Sequence, residues 1–121
     1  MDKYRTLVER LLKRTLNGDL SWDYDEFENK LSTNIAERMV YLEETKNDNG
    51  EPAIKLSIVN PTSQKAESFI DDMINGPTPN YRGFDSYWVL MKTLFDVGVR
   101  RATGADKDID DILDTLDDVP F

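Results

Sequence analysis

The stretch that decides the fold runs from Ile35 to Val59. It reads Ile35-Ala36-Glu37-Arg38-Met39-Val40-Tyr41-Leu42-Glu43-Glu44-Thr45, then Lys46-Asn47-Asp48-Asn49-Gly50-Glu51-Pro52, then Ala53-Ile54-Lys55-Leu56-Ser57-Ile58-Val59. Asn-Gly accepts the positive φ that a tight connection between antiparallel strands requires, so Asn47 to Gly50 predicts a hairpin. After it, Ile54, Leu56 and Ile58 alternate with Lys55 and Ser57, a period of two that predicts a strand over 53–59. Before it, Met39, Val40, Tyr41 and Leu42 sit together with weak alternation. That predicts a strand over 35–45, covered on much of both faces and central in its sheet.

Working outward on the N-terminal side, Phe27, Asn29 and Leu31 alternate with Glu26, Glu28 and Lys30, predicting a further strand over 25–32 turned by Ser32-Thr33-Asn34. Tyr4, Leu7, Val8, Leu11, Leu12 and Leu16 recur at steps of three and four and predict a helix, stopped by Asn17-Gly18. Leu20 and Trp22 come next, in a connection that folds back over it. On the C-terminal side, Asn60-Pro61-Thr62 ends the sheet. The spacing of Ala66, Phe69, Ile70, Met73 and Ile74 predicts a helix closed by Asn75-Gly76-Pro77, and Thr78-Pro79-Asn80-Tyr81 predicts a stiff loop. Phe84, Tyr87, Trp88, Met91, Leu94, Phe95 and Gly98 line a long helix ending at Arg100-Arg101, with Trp88 in the core. A last helix carries Ile109, Ile112, Leu113 and Leu116 on one stripe, expected to be buried, with aspartate around it. The expected architecture is α+β: an N-terminal helix, a three-stranded antiparallel β-meander, and C-terminal helices packed on one face of the sheet, in the order α-β-β-β-α-α-α. At 121 residues, a single domain over 1–121 is expected.

The chain contains neither histidine nor cysteine. Ser-His-Asp and Cys-His nucleophilic sites are therefore impossible, as are zinc sites of the usual nitrogen and sulfur ligands. Catalysis would have to run on carboxylates, Lys, Arg, Tyr or hydroxyls, or on a hard cation held by oxygen. No cofactor signature is present, and glycine-rich phosphate loops are absent. The N-terminus reads as neither a signal peptide nor a membrane anchor, and a reducing cytoplasm is the expected location. The net charge of −9 is unevenly spread. Residues 1–16 hold five basic and two acidic groups, whereas residues 17–60 hold four basic and ten acidic ones, and residues 105–121 hold one Lys against seven Asp. Such a chain is repelled by phosphate backbones and attracted to basic surfaces.

Three acidic motifs invite a functional reading. Asp106, Asp108, Asp110 and Asp117 fall at calcium-loop positions one, three, five and twelve, but Asp111 stands where the sharp turn needs Gly, and Ile109 and Ile112 fit a helix better. Aspartates there are accounted for as a solvated helix face. Asp23-Tyr24-Asp25 has the form of a two-carboxylate metal clamp, a pattern that chance supplies in a chain this rich in Asp. The segment Asn17 to Glu28 can be set on a calcium-loop pattern too, but Trp22 occupies the Gly position. No metal site is expected. Among the aromatic residues, Trp22 is expected as a lid over the first helix, while Tyr24 and Tyr81 lie beside charges or prolines and are candidate surface anchors. Lys13-Arg14 and Arg100-Arg101 suit the negative ends of their helices.

The run Thr15-Leu16-Asn17-Gly18-Asp19-Leu20-Ser21-Trp22, together with Arg100-Arg101-Ala102 and Ile109-Asp110-Asp111-Ile112-Leu113, resembles a diffuse set of small prokaryotic proteins, bacterial and phage. Their shared plan is a leading helix, a β-meander and trailing helices. The resemblance implies that order of elements and no activity.

The functional expectation is a protein–protein interaction module, a small regulator, inhibitor or immunity-type factor without catalytic activity, whose acidic surface meets a basic protein. Asp23, Tyr24, Asp25, Glu26 and Tyr81 are the candidate contact residues. A carboxylate-based enzyme using a divalent metal, and an inhibitor that mimics nucleic acid, are the alternatives. Direct nucleic-acid binding and membrane association are not expected.

Overall fold

The computed structural model describes residues 3–74 and 84–117. Helix α1 (Lys3–Leu16) is followed by five strands, β1 (Asp23–Asp25), β2 (Lys30–Ile35), β3 (Arg38–Lys46), β4 (Pro52–Asn60) and β5 (Lys65–Ile70). A 3-10 turn over Asp71–Met73 comes next, and then helices α2 (Tyr87–Thr103) and α3 (Ala105–Asp117). All neighbouring strands pair antiparallel in the order β1-β2-β3-β4-β5. The α+β class and the meander hold, but the sheet has five strands rather than three.

The expected hairpin at Asn47 forms. The Asn47 side chain accepts hydrogen bonds from the backbone N–H groups of Asn49 and Glu51, and Gly50 takes the positive φ. The register Leu42↔Leu56 and Val40↔Ile58 then places both strands' apolar residues on one face.

Two of the expected elements need correction. The strand expected over 25–32 is a hairpin instead: Glu26 to Asn29 form its turn and residues 23–25 pair with 30–32. Ser32, Thr33 and Asn34 lie in β2, and the next turn is Ala36-Glu37. Period-two spacing misled here because Asp25 folds the chain: its carboxylate accepts from the N–H groups of Phe27 and Glu28, and Asn29 closes the loop at φ 52°. The helix expected from Ala66 to Ile74 is also absent, its first five residues lying in β5. Pairing from Asn60↔Lys65 to Lys55↔Ile70 satisfies the backbone of β4 along that edge, which no local helix could do. Phe69 turns inward and stacks on Tyr4 with ring centroids 4.1 Å apart. The closing turn at Asn75-Gly76-Pro77 and the loop carrying Tyr81 lie outside the described residues.

One face of the sheet is covered by α1 and α2. Leu31, Leu42, Ile54 and Leu56 from the sheet meet Val8, Leu11 and Leu12 of α1 and Leu90, Met91 and Leu94 of α2 in one buried cluster. Trp22 is the lid expected over α1. Its indole N–H donates to the buried Thr15 hydroxyl (2.9 Å), which in turn donates to the Leu11 carbonyl. Trp88 is only half-buried on its helix, although its indole nitrogen is buried and has no hydrogen-bond partner among the described residues. Gly98 lets α2 approach the sheet closely, because a Cβ there would stand 2.6 Å from Leu31 Cδ1.

Helix α2 is capped by the Ser86 hydroxyl, which accepts from Val89 N–H, and ends at Gly104 in the left-handed region. With Ala105 already in α3, that single residue is the whole connection. The stripe on α3 does not enter the core. Ile109, Ile112, Leu113 and Leu116 are 52, 61, 51 and 50% exposed, contrary to the burial expected from their spacing.

Candidate functional site

Asp23, Tyr24, Asp25 and Glu26 come together in the β1–β2 hairpin. Asp23 and Asp25 pair with Ser32 and Lys30 and share the sheet's open face, while Tyr24 opposite Leu31 points toward α2. Both carboxylates and Glu26 are exposed, and Tyr24 is half-buried. Asp25 doubles as the turn's cap, so its exposed charge is also structural. Tyr81 lies outside the described residues, so its place relative to this cluster is not described.

The hairpin contributes a residue that sequence reasoning assigned to a strand. Phe27 stands at the tip of the turn and is 101% exposed, between Glu26 and Glu28. The sheet contains a second turn of the same design for comparison. Asn60 accepts from the N–H groups of Thr62 and Ser63, Gln64 takes a φ of 58°, and a lysine closes the loop, as Lys30 does in the first. The second tip is Pro61-Thr62-Ser63, small and polar. The turn geometry therefore does not call for an aromatic residue, and Phe27 is an addition to it.

Beneath the hairpin, a groove of about 610 Å³ separates it from α2, lined by Tyr24, Asn29, Glu44, Phe95, Asp96 and Arg100 among others. A polar chain crosses its side. The Tyr24 hydroxyl donates to the Asn29 side-chain oxygen, and the Asn29 amide donates to Glu44 Oε1 at 3.4 Å. Lys92 Nζ lies 3.5 Å from Glu44 Oε2 and 3.0 Å from Asp96 Oδ1. Burial works against the Lys92 charge, but the hydrogen bond and negative charge of Asp96, joined by Glu44, outweigh it and raise the ammonium above its ordinary range. The chain ties the turn through Asn29 to the middle of the longest helix, so the hairpin is held at its base while its tip is free. Asn29, Glu44 and Lys92 had no sequence signal beyond their polarity, because they meet only through the meander; Lys92 and Asp96 are an i,i+4 pair that helical spacing alone brings together.

A second perturbed group lies one strand away, where Ile54 pairs with Glu44 across β3 and β4. Burial pushes the Asp71 carboxyl above its ordinary range, partly offset by the N–H of Ile54, which donates to it at 2.9 Å, and by its own backbone N–H; Asp72 adds to the rise. It joins β4 to the 3-10 turn. Residues 105–117 form a helix, the solvated-face alternative to a calcium loop. Among the described residues, no three carboxylates converge on a point that could hold a metal ion. No helix among them is long and apolar enough to cross a membrane.

Compared with known proteins, the chain matches no family model, no curated protein and no solved structure. The class that the fold defines is an α+β protein in which two helices cover one face of a five-stranded antiparallel meander.

Proposed function

We propose that this chain is a cytoplasmic protein–protein interaction module, a small regulator, inhibitor or immunity-type factor, that presents the β1–β2 hairpin to a basic partner. The observation that carries the reading is Phe27, fully exposed at the tip of an anchored turn and flanked by Asp23, Asp25, Glu26 and Glu28. An aromatic ring held out by a rigid turn loses little conformational entropy on entering a pocket, which is why aromatic residues dominate binding hot spots. The carboxylates around it would steer a basic surface toward the tip and set the rate of encounter. The absence of cysteine suits a reducing compartment.

The test is affinity capture from the native host with wild-type protein and Phe27→Ala side by side, followed by binding kinetics on any protein lost from the variant. Phe27→Ala should weaken that complex by roughly 30-fold or more, mostly through faster dissociation. Reversing Asp23 and Glu26 to Lys, leaving the Asp25 cap in place, should slow association and reduce its dependence on salt. A purified partner that binds wild type and all these variants alike would remove the hairpin from the interface.

A further inference from the structure

A second surface, independent of the hairpin, concerns α3 and a groove on α1. The groove, of about 340 Å³, is lined by Leu7, Leu11, Leu20 and Ile35 together with Arg10, Arg14 and Asp19. Its lining is mostly apolar, and its charged groups are two arginines against one aspartate. Arg14 lies 3.4 Å from Asp19, with both groups largely exposed, and Arg10 makes no ion pair among the described residues.

Helix α3 has the complementary character. Its apolar stripe is open to solvent, and at 100° per residue Asp110 and Asp117 border that stripe on one side and Asp108 on the other. An amphipathic helix of this kind, with anchors at i, i+3, i+4 and i+7, is the usual occupant of an apolar groove. We infer that the stripe of α3 docks in the Leu7–Ile35 groove of a second copy of this chain, with the flank that carries Asp110 and Asp117 facing Arg10 and Arg14.

Two observations select a second copy. First, α3 does not lie on its own α1. It leaves α2 through Gly104 alone, and its stripe stands open to solvent rather than on its own α1 groove. Second, stripe-to-stripe pairing of two α3 helices would bring aspartate borders together, a repulsion the α1 groove replaces with attraction. The same surfaces on each chain make the contact reciprocal when two copies exchange helices.

Charge reversal tests this without disturbing the core, because Arg10, Arg14, Asp110 and Asp117 are all exposed. Sedimentation of the full chain over roughly a hundredfold range of concentration should show self-association that dissociates on dilution. Arg10→Glu with Arg14→Glu, and separately Asp110→Lys with Asp117→Lys, should each weaken it by about tenfold or more. An equimolar mixture of the two variants should restore it, because both exchanged contacts are again between opposite charges. Circular dichroism of each variant confirms that it is folded. A wild-type chain that is monomeric throughout would overturn the inference, and that outcome includes α3 closing on its own groove. So would an oligomer indifferent to reversal at Arg10 and Arg14, which would instead mark α3 pairing with α3. Because the hairpin takes no part, either result leaves the proposal for Phe27 standing.

Discussion

Helices α1 and α3 are written in the same pattern, with apolar residues three and four apart on a charged background. Val8, Leu11 and Leu12 of α1 are buried, while Ile109, Ile112, Leu113 and Leu116 of α3 remain half exposed or more. The difference lies in whether the chain comes back over each helix. After α1 it turns at Gly18 and returns, so that Trp22 closes over Thr15 and Arg101 of α2 donates to the Leu16 carbonyl. Tyr4 is stacked on Phe69 from the far edge of the sheet and bonded through its hydroxyl to Glu67. No such return covers α3 among the described residues, and its main contact is with α2. Charge separates them as well, because α1 ends in Lys13 and Arg14 while α3 carries aspartate on every side of its stripe. Periodicity thus states that a helix forms and which face is apolar, but not whether its own chain covers that face.

The largest expected contrast is between equivalent truncations on the two helices. Leu12→Ala should cost about 2–5 kcal/mol in urea unfolding, since Leu12 is fully buried in the central cluster. Leu113→Ala in dilute protein should change stability by no more than about 0.5 kcal/mol. Comparable losses at the two sites would erase the distinction. The close approach of α2 sharpens it further. Gly98→Ala should lower stability by about 1–2 kcal/mol despite the better helix propensity of alanine, because the added methyl collides with Leu31. A stabilised variant would show that α2 can lift from the sheet as freely as α3 stands off it.

The same contrast explains how much was legible beforehand. The helix from Tyr4 to Leu16, its Gly18 stop, the Trp22 lid and the Asn47 hairpin arise from local chemistry, and all are present. The hairpin at Asp25 was missed because its signal is a capping carboxylate and an asparagine at positive φ, inside a run that alternates. Strand β5 was missed because its main stabilisation is non-local pairing with β4, which overrides a helical spacing of apolar residues. The candidate site was legible as composition only. Asp23, Tyr24, Asp25 and Glu26 are adjacent in sequence, but Phe27 became a surface anchor, and Asn29, Glu44 and Lys92 a brace, only once the strands were in register.

Smaller effects test the sheet that positions the hairpin. Ala36 and Glu37 both carry positive φ, 53° and 64°, in a two-residue turn where Asn-Gly is preferred. Replacing Ala36 with Asn and Glu37 with Gly should therefore stabilise the protein by about 1 kcal/mol, measured as a shift in the urea midpoint at unchanged slope. A loss would mean that the present side chains hold the turn in some further way. Asp71 supplies the pH-dependent case. Its folded-state carboxyl titrates above its ordinary value of 3.8, so the folded state binds that proton more tightly than the unfolded chain. The resulting penalty is fully present above the raised value and fades as pH falls through it toward the ordinary one. Asp71→Asn keeps an acceptor for Ile54 N–H and should gain stability over wild type at neutral pH, with the gain disappearing in acid. A difference between the two proteins that is flat with pH would show that burial does not govern this group.

Amide hydrogen exchange on α1 and α3, in the same sample, tests most directly whether α3 is left for a partner rather than belonging to the core of its own chain. In dilute protein, the amides around Leu11 to Thr15 should exchange only through global unfolding, while those around Ile112 to Leu116 should exchange far faster through local opening. Raising the concentration should then slow exchange in α3 and leave the slow amides of α1 nearly unchanged, as the stripe becomes covered by a second copy. Equal protection of the two helices in dilute protein would contradict the account, because it would show that α3 is already held by its own chain.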